Sequence, residues 1–118
     1  MDDHKTDLSG MPAPDLARLR AEAASRLSQD GRVMVGRVVA ERRTCGRPNC
    51  SRCGDGLPGH GPYRYFVPRR AGRGGAVYVP AALVGEVSAY TRAGEACEDA
   101  LELLTRVNAE LLRRRELD

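Results

Sequence analysis

Cys45, Cys50, Cys53 and His60 stand in the pattern C-x4-C-x2-C-x6-H, inside the stretch CGRPNCSRCGDGLPGHGPYRYF. Three thiolates and one imidazole are a complete tetrahedral set for zinc, and a closed set of four protein ligands is the mark of a structural rather than a catalytic site. Cys50 and Cys53 enclose two residues in a knuckle whose thiolates can face one ion, while Gly46 and Pro48 supply turn chemistry before it and Gly54, Gly56, Pro58 and Gly59 let the chain return to deliver His60. Between Cys45 and Tyr63 the only large apolar residue is Leu57, so this loop has no side-chain core of its own and needs another organiser. A zinc ion can supply on the order of 10 kcal/mol of apparent binding free energy to such a fold.

Three other readings compete with structural zinc. A redox pair at Cys50 and Cys53 would ordinarily sit in a βαβ setting at a helix N-terminus, which the surrounding sequence lacks. The thiols are free and His60 is a turn residue in the second. In the third the metal is catalytic, but four ligands leave no open position and Asp55 is the only nearby carboxylate. Cys97 lies far off on an apolar helical stripe and reads as a small hydrophobe there, and His4 in the polar N-terminal stretch carries no pattern.

The charge around this loop is segregated. The 118 residues sum to +3, but residues 32–80 carry ten arginines against Glu41 and Asp55, a local +8, flanked by acidic segments on both sides. Such a concentration is the usual footprint of a polyanionic partner, although it also occurs on faces that are merely solvated. Arg42, Arg43, Arg47, Arg52, Arg64, Arg69, Arg70 and Arg73 are the candidate nucleic-acid contacts, with DNA the expected partner. A basic two-stranded ribbon is one element that fits a major groove. Tyr63, Tyr65 and Phe66 are candidates for stacking on bases or, as is commoner for aromatic residues on a small sheet, for its core.

The elements that position these residues follow from periodicity. Residues 1–11 are polar and read as a flexible tail. Residues 12–31 read as a short helix, with Pro12 and Pro14 at its start, Leu16, Leu19, Ala23 and Leu27 along one face and Gly31 as the stop. RVMVGRVVAERR reads as a strand, and PYRYFVPRR and GAVYVP as a hairpin over 63–69 and 76–79 with a glycine-rich tip, placing a three-stranded antiparallel sheet and the metal loop in residues 32–80. Along the first hairpin strand Tyr63, Tyr65 and Val67 point one way and Arg64 and Phe66 the other.

Residues 81–118 read as one long amphipathic helix. Leu83, Val87, Tyr90, Gly94, Cys97, Leu101, Leu104, Asn108 and Leu111 alternate at spacings of four and three, a heptad stripe, with Gly94 as a point where the helix bends or breaks in two. Ala100, Leu103 and Val107 widen the stripe at its C-terminal half. Half of such a stripe covers the chain's own sheet, and the rest predicts a homodimer through residues 95–115, with Cys97, Leu101, Leu104, Asn108 and Leu111 at the interface. The fold class is therefore α+β.

The run from CGRPNC through HGPYRYF and RRAGRGGAVYVPAALVGEV, about residues 32–112, resembles a family of short bacterial and archaeal proteins associated with mobile elements. Cys45, Gly46, Arg47, Pro48, Cys50, Cys53, His60, Gly61, Pro62, Tyr63, Tyr65, Tyr78, Val79 and Pro80 carry the likeness. The chain departs from the family's pattern by extra residues between Cys53 and His60 and by arginine where lysine is usual, and neither change removes a ligand. The resemblance implies the metal site and the mobile-element setting without supplying an activity.

No paired carboxylates, activated nucleophile or phosphate loop appears, so an enzyme is not expected; AGRGG lacks the lysine and the strand-to-helix context of a P-loop. There is no long apolar run and no secretory n- and h-region at MDDHKTDLSG, which predicts a cytoplasmic protein without a membrane anchor. The expected function is a zinc-stabilised nucleic-acid-binding accessory or regulatory protein. The alternative is a dimerising adaptor with a structural zinc and no nucleic-acid binding.

Overall fold

A computed structural model describes residues 7–54, 56–70 and 74–118. The order is helix α1 (Ala13–Ser25), strands β1 (Gly36–Arg43), β2 (His60–Pro68) and β3 (Val77–Val79), a 3-10 turn (Ala81–Leu83) and helix α2 (Val84–Arg113). The strands form an antiparallel sheet in the order β1-β2-β3. The α+β class with a three-stranded sheet, a short first helix and a long last one is thus the observed fold. Among the described residues no helix is long and apolar enough to cross a membrane.

The chain divides into two compact units, one of residues 1–33 with 93–118 and one of residues 34–92. In the helical unit, Leu8, Leu16, Ala23, Leu103 and Val107 make the buried cluster, with Met11, Leu19, Leu104 and Leu111 packed against it. Leu8, in a segment expected to be a flexible tail, is only 5% exposed. The Arg114 guanidinium fixes this segment by donating to the carbonyls of Leu8, Ser9 and Met11 at 3.1, 3.1 and 2.7 Å, while its Nε donates to the buried Glu110 carboxylate at 2.9 Å. Helix α1 starts from Pro12, has Asp15 in its first turn and stops at Ser25, six residues before Gly31. The Ser25 hydroxyl donates to the Glu22 carbonyl at 2.7 Å, a local bond of the kind that competes with continued helix.

Helix α2 runs unbroken through Gly94, so the alternative of two helices does not hold. Its buried positions are Gly94, which belongs to the heptad read in the sequence, and Ala100, Leu103, Val107 and Glu110, a stripe one residue round from it. Both stripes obey the same three-and-four spacing, and burial goes to the one that meets Leu16 and Ala23. The helix ends with Arg115 at φ +61°. The amide of Arg115 donates to Leu112 O at 3.0 Å and that of Glu116 to Leu111 O at 2.8 Å, the paired bonds that cap a helix with a left-handed residue.

In the sheet unit, β1 begins at Gly36 rather than at Arg32. Met34 instead donates its amide to Tyr90 O of α2 at 3.1 Å, which takes residues 32–35 off the ladder. Position 36 must be glycine, because a Cβ there would overlap the Val67 carbonyl and come within 2.7 Å of the Phe66 ring. The register pairs Val39 with Tyr65 and Val38 with Phe66, and Tyr65 and Phe66 in turn with Tyr78 and Val77. Directly paired residues share a face. Phe66 and Val79, 7% and 5% exposed, therefore lie on one face, and Tyr65 and Tyr78 on the other.

Candidate metal centre

The ladder between β1 and β2 slips by one residue between Glu41 and Arg43, so that Arg43 stands opposite His60. This bulge places Cys45, two residues beyond β1, and His60, the first residue of β2, at the same end of the sheet. The intervening loop folds back on left-handed residues, Gly46 at φ +72°, Asn49 at +62° and Gly59 at +78°. Asparagine tolerates this region better than other residues with a Cβ. At Gly59 a Cβ would also stand 3.0 Å from the Arg43 carbonyl, so the close return of the chain beside the ligands requires glycine for two reasons.

The four donor atoms of Cys45, Cys50, Cys53 and His60 all lie within 4.8 Å of one another. Cys45 and Cys53 Sγ are 3.7 Å apart, and Cys50 Sγ is 3.3 Å from His60 Nε2. Thiolates about 2.3 Å from a common tetrahedral centre stand roughly 3.8 Å from each other. Donor types and separations both fit one metal ion, and the four residues can hold it. All four cysteines are free of disulfides, so the thiols are available as ligands.

Backbone amides and burial set the thiols apart from one another. The Arg52 amide donates to Cys50, and with smaller help from Cys45, Cys53 and His60 it pulls the Cys50 thiol down to about 6. Burial is the main influence on Cys53 and pushes its thiol up, against the Cys45 amide, which donates to Cys53 Sγ at 3.3 Å. The Cys-x-x-Cys knuckle thus already offers a thiolate, the form a metal takes.

The segment that holds this centre is rich in arginines. Arg42, Arg43, Arg47, Arg52, Arg64, Arg69 and Arg70 are all exposed, and Arg73 lies outside the described residues, as do His4 and Asp55. They do not share one face: Arg64 pairs with Ala40 and Val79 on the Phe66 side, whereas the Arg43 guanidinium lies 5.0 Å over the Tyr65 ring on the other. Arg42 Nη1 donates to Gly61 O at 3.2 Å, and Arg43 Nη2 meets Glu41 Oε2 at 3.1 Å. Of the three aromatic stacking candidates, Phe66 is withdrawn from solvent, while Tyr63 and Tyr65 are half-exposed. Tyr78, which the register pairs with Tyr65, is a further ring beside these candidates.

The residues read as a dimer interface are divided. Leu104 and Leu111 pack against the chain's own buried cluster, Leu101 is 54% exposed, and Cys97 and Asn108 are half-buried. The Asn108 Oδ1 is buried and has no hydrogen-bond partner among the described residues.

A model of the family described as a domain of unknown function, DUF6788, matches residues 14–89. No curated protein and no solved structure matches the chain. The matched span takes in nearly all of α1, the whole sheet, the four candidate ligands and the start of α2; the chain belongs to the DUF6788 family.

Proposed function

We propose that this chain is a zinc-stabilised nucleic-acid-binding module of the cytoplasm, non-enzymatic, with DNA the expected polyanion and an accessory or regulatory role in a mobile-element setting. The observation that carries the reading is the set of exposed arginines in the segment that holds the four-ligand centre, a segment of local charge +8. Zinc is the ion of choice because three soft thiolates and one imidazole form a closed tetrahedral set. The ion's role is to hold the loop so that Arg47 and Arg52 stand at one end of the sheet, with Arg69 and Arg70 beyond β2 at the other.

If about six arginines meet phosphates, affinity falls roughly a thousandfold between about 50 and 200 mM salt. A shift assay with duplex and single-stranded DNA and RNA across that range is the test. The triple change Arg69→Glu, Arg70→Glu and Arg73→Glu abolishes binding on this reading, and binding that ignores both salt and charge reversal ends it.

A second reading has one observation behind it: Leu101 and Leu112 are each more than half exposed on α2, near the unpartnered Asn108 amide oxygen. A second copy of the chain seated there, on the face that includes Cys97, would make the protein a homodimeric adaptor. Under that reading Leu101→Glu turns a dimer into a monomer in sedimentation, and charge reversal of the arginines changes nothing.

A further inference from the structure

The sheet has two unlike faces. One carries Phe66 and Val79, both buried. The other carries, row by row, Arg37 beside Val67, then Val39, Tyr65 and Tyr78 side by side, then Glu41 beside Tyr63. None of these residues is fully buried, and Tyr78 is 53% exposed. Tyr65 and Tyr78 meet edge to face, with ring centroids 5.8 Å apart at 64°, and the Arg43 guanidinium lies over Tyr65. The carboxylate of Glu41, the one acidic group on this face among the described residues, is engaged by Arg43.

We infer that this Tyr63–Tyr65–Tyr78 face is a base-stacking platform for single-stranded nucleic acid, with Arg43 and Arg37 as its cationic edge. The inference rests on the nucleic-acid reading above and specifies which form of nucleic acid the site takes.

Three observations favour that occupant over a duplex or an apolar protein. Phenol rings and a guanidinium plane are the groups on which bases stack, and every base has a π-face, so such a surface accepts any sequence. In a duplex those faces are hidden in the helical stack, and only a splayed strand can present them. The surrounding segment at +8 complements a phosphate chain, whereas an apolar partner would bury arginines without counter-charge. Tyr63 and Tyr65 are two residues apart on one strand, about 6.6 Å along it, so two successive nucleotides can be engaged.

The chain has four tyrosines and no tryptophan, and three of those tyrosines are on this face. Its intrinsic fluorescence therefore reports directly on stacking. The test uses the full chain purified with zinc and four probes of about a dozen nucleotides: an oligothymidylate, its uridylate counterpart, an abasic phosphodiester of the same length, and a duplex. The platform predicts that both base-bearing single strands quench tyrosine emission and bind roughly tenfold or more tighter than the abasic strand and the duplex. The DNA and RNA arms then rank the two natural sources of the same chemistry. Tyr78→Leu, at an exposed position, weakens the base-bearing strands by about ten- to a hundredfold and leaves the abasic strand unchanged, while Tyr78→Phe retains binding. Equal affinity for abasic and base-bearing strands overturns the platform and leaves the electrostatic reading standing. Failure to bind any probe at low salt overturns both.

Discussion

The helical unit and the sheet unit are held together by different means. In the helical unit Leu16, Leu103 and Val107 are fully buried, and two helices with a leading segment close around them. In the sheet unit the buried hydrophobic side chains among the described residues are Phe66 and Val79. Two buried side chains do not offset the conformational entropy of ordering some fifty to sixty residues at about 1–2 kcal/mol each. What the sheet unit has instead is a cluster of four ligands at the open end of its longest strand pair. The contrast teaches that a chain this short can divide its sources of stability, one half relying on apolar burial and the other having, in place of a core, four residues that could hold a metal ion.

Metal removal should separate the two units most sharply. Chelation, or Cys50→Ser, is expected to remove on the order of 10 kcal/mol from the sheet unit. In an amide NMR spectrum the dispersed strand signals of residues 36–68 then collapse while helical signals from residues 95–113 persist. Loss of both sets together would show that the helical unit also depends on the metal.

The converse change is Leu103→Ala, which opens a cavity among fully buried neighbours and should cost about 2–5 kcal/mol. Urea denaturation followed by helical circular dichroism measures that loss, with zinc stoichiometry expected to be unchanged at low denaturant. A drop in bound metal would mean that the core supports the ligand loop as well.

The smallest effect lies within the metal-free loop. The Cys50 thiol is lowered from 9.0 to about 6 and that of Cys53 is raised, so near neutrality Cys50 is thiolate and Cys53 thiol. Because the folded value for Cys50 lies below the unfolded one, its contribution to stability is complete above 9.0 and is lost as pH falls through about 6. In metal-free protein that keeps this loop folded, iodoacetamide at about pH 7 labels Cys50 well before Cys53, whereas the collapse expected on chelation makes the two label alike, as mass spectrometry of peptides can show. Equal labelling rates would show that the loop loses this arrangement together with the metal.

Residue types announced the ligands, since Cys45, Cys50, Cys53 and His60 are brought together as their spacing implied. The long helix and the hairpin were equally legible from apolar periodicity and glycine. The choice of buried stripe on α2 was not. Leu101, Leu104 and Leu111 make as good a pattern as Ala100, Leu103 and Val107, and only the position of Leu16 and Ala23 decides between them. Nor could the sequence reveal that Met34 would spend its amide on Tyr90, since that bond depends on the placement of a helix more than fifty residues away. The aromatic face was half legible: parity separates Tyr65 from Phe66, but pairing with Tyr78 requires the register.

Helix α2 begins among the residues of the sheet unit and continues without a break into the helical unit, whose other part precedes the sheet. In chain order the sheet unit is therefore an insertion within a host. The entropy of closing a loop rises only slowly with its length, so a host of this kind can keep its fold while the inserted segment is disordered. Metal supply would then act as a tuning input: with an ion in the four-ligand cluster the chain would display an ordered guest, and without it the same host would carry a long tether.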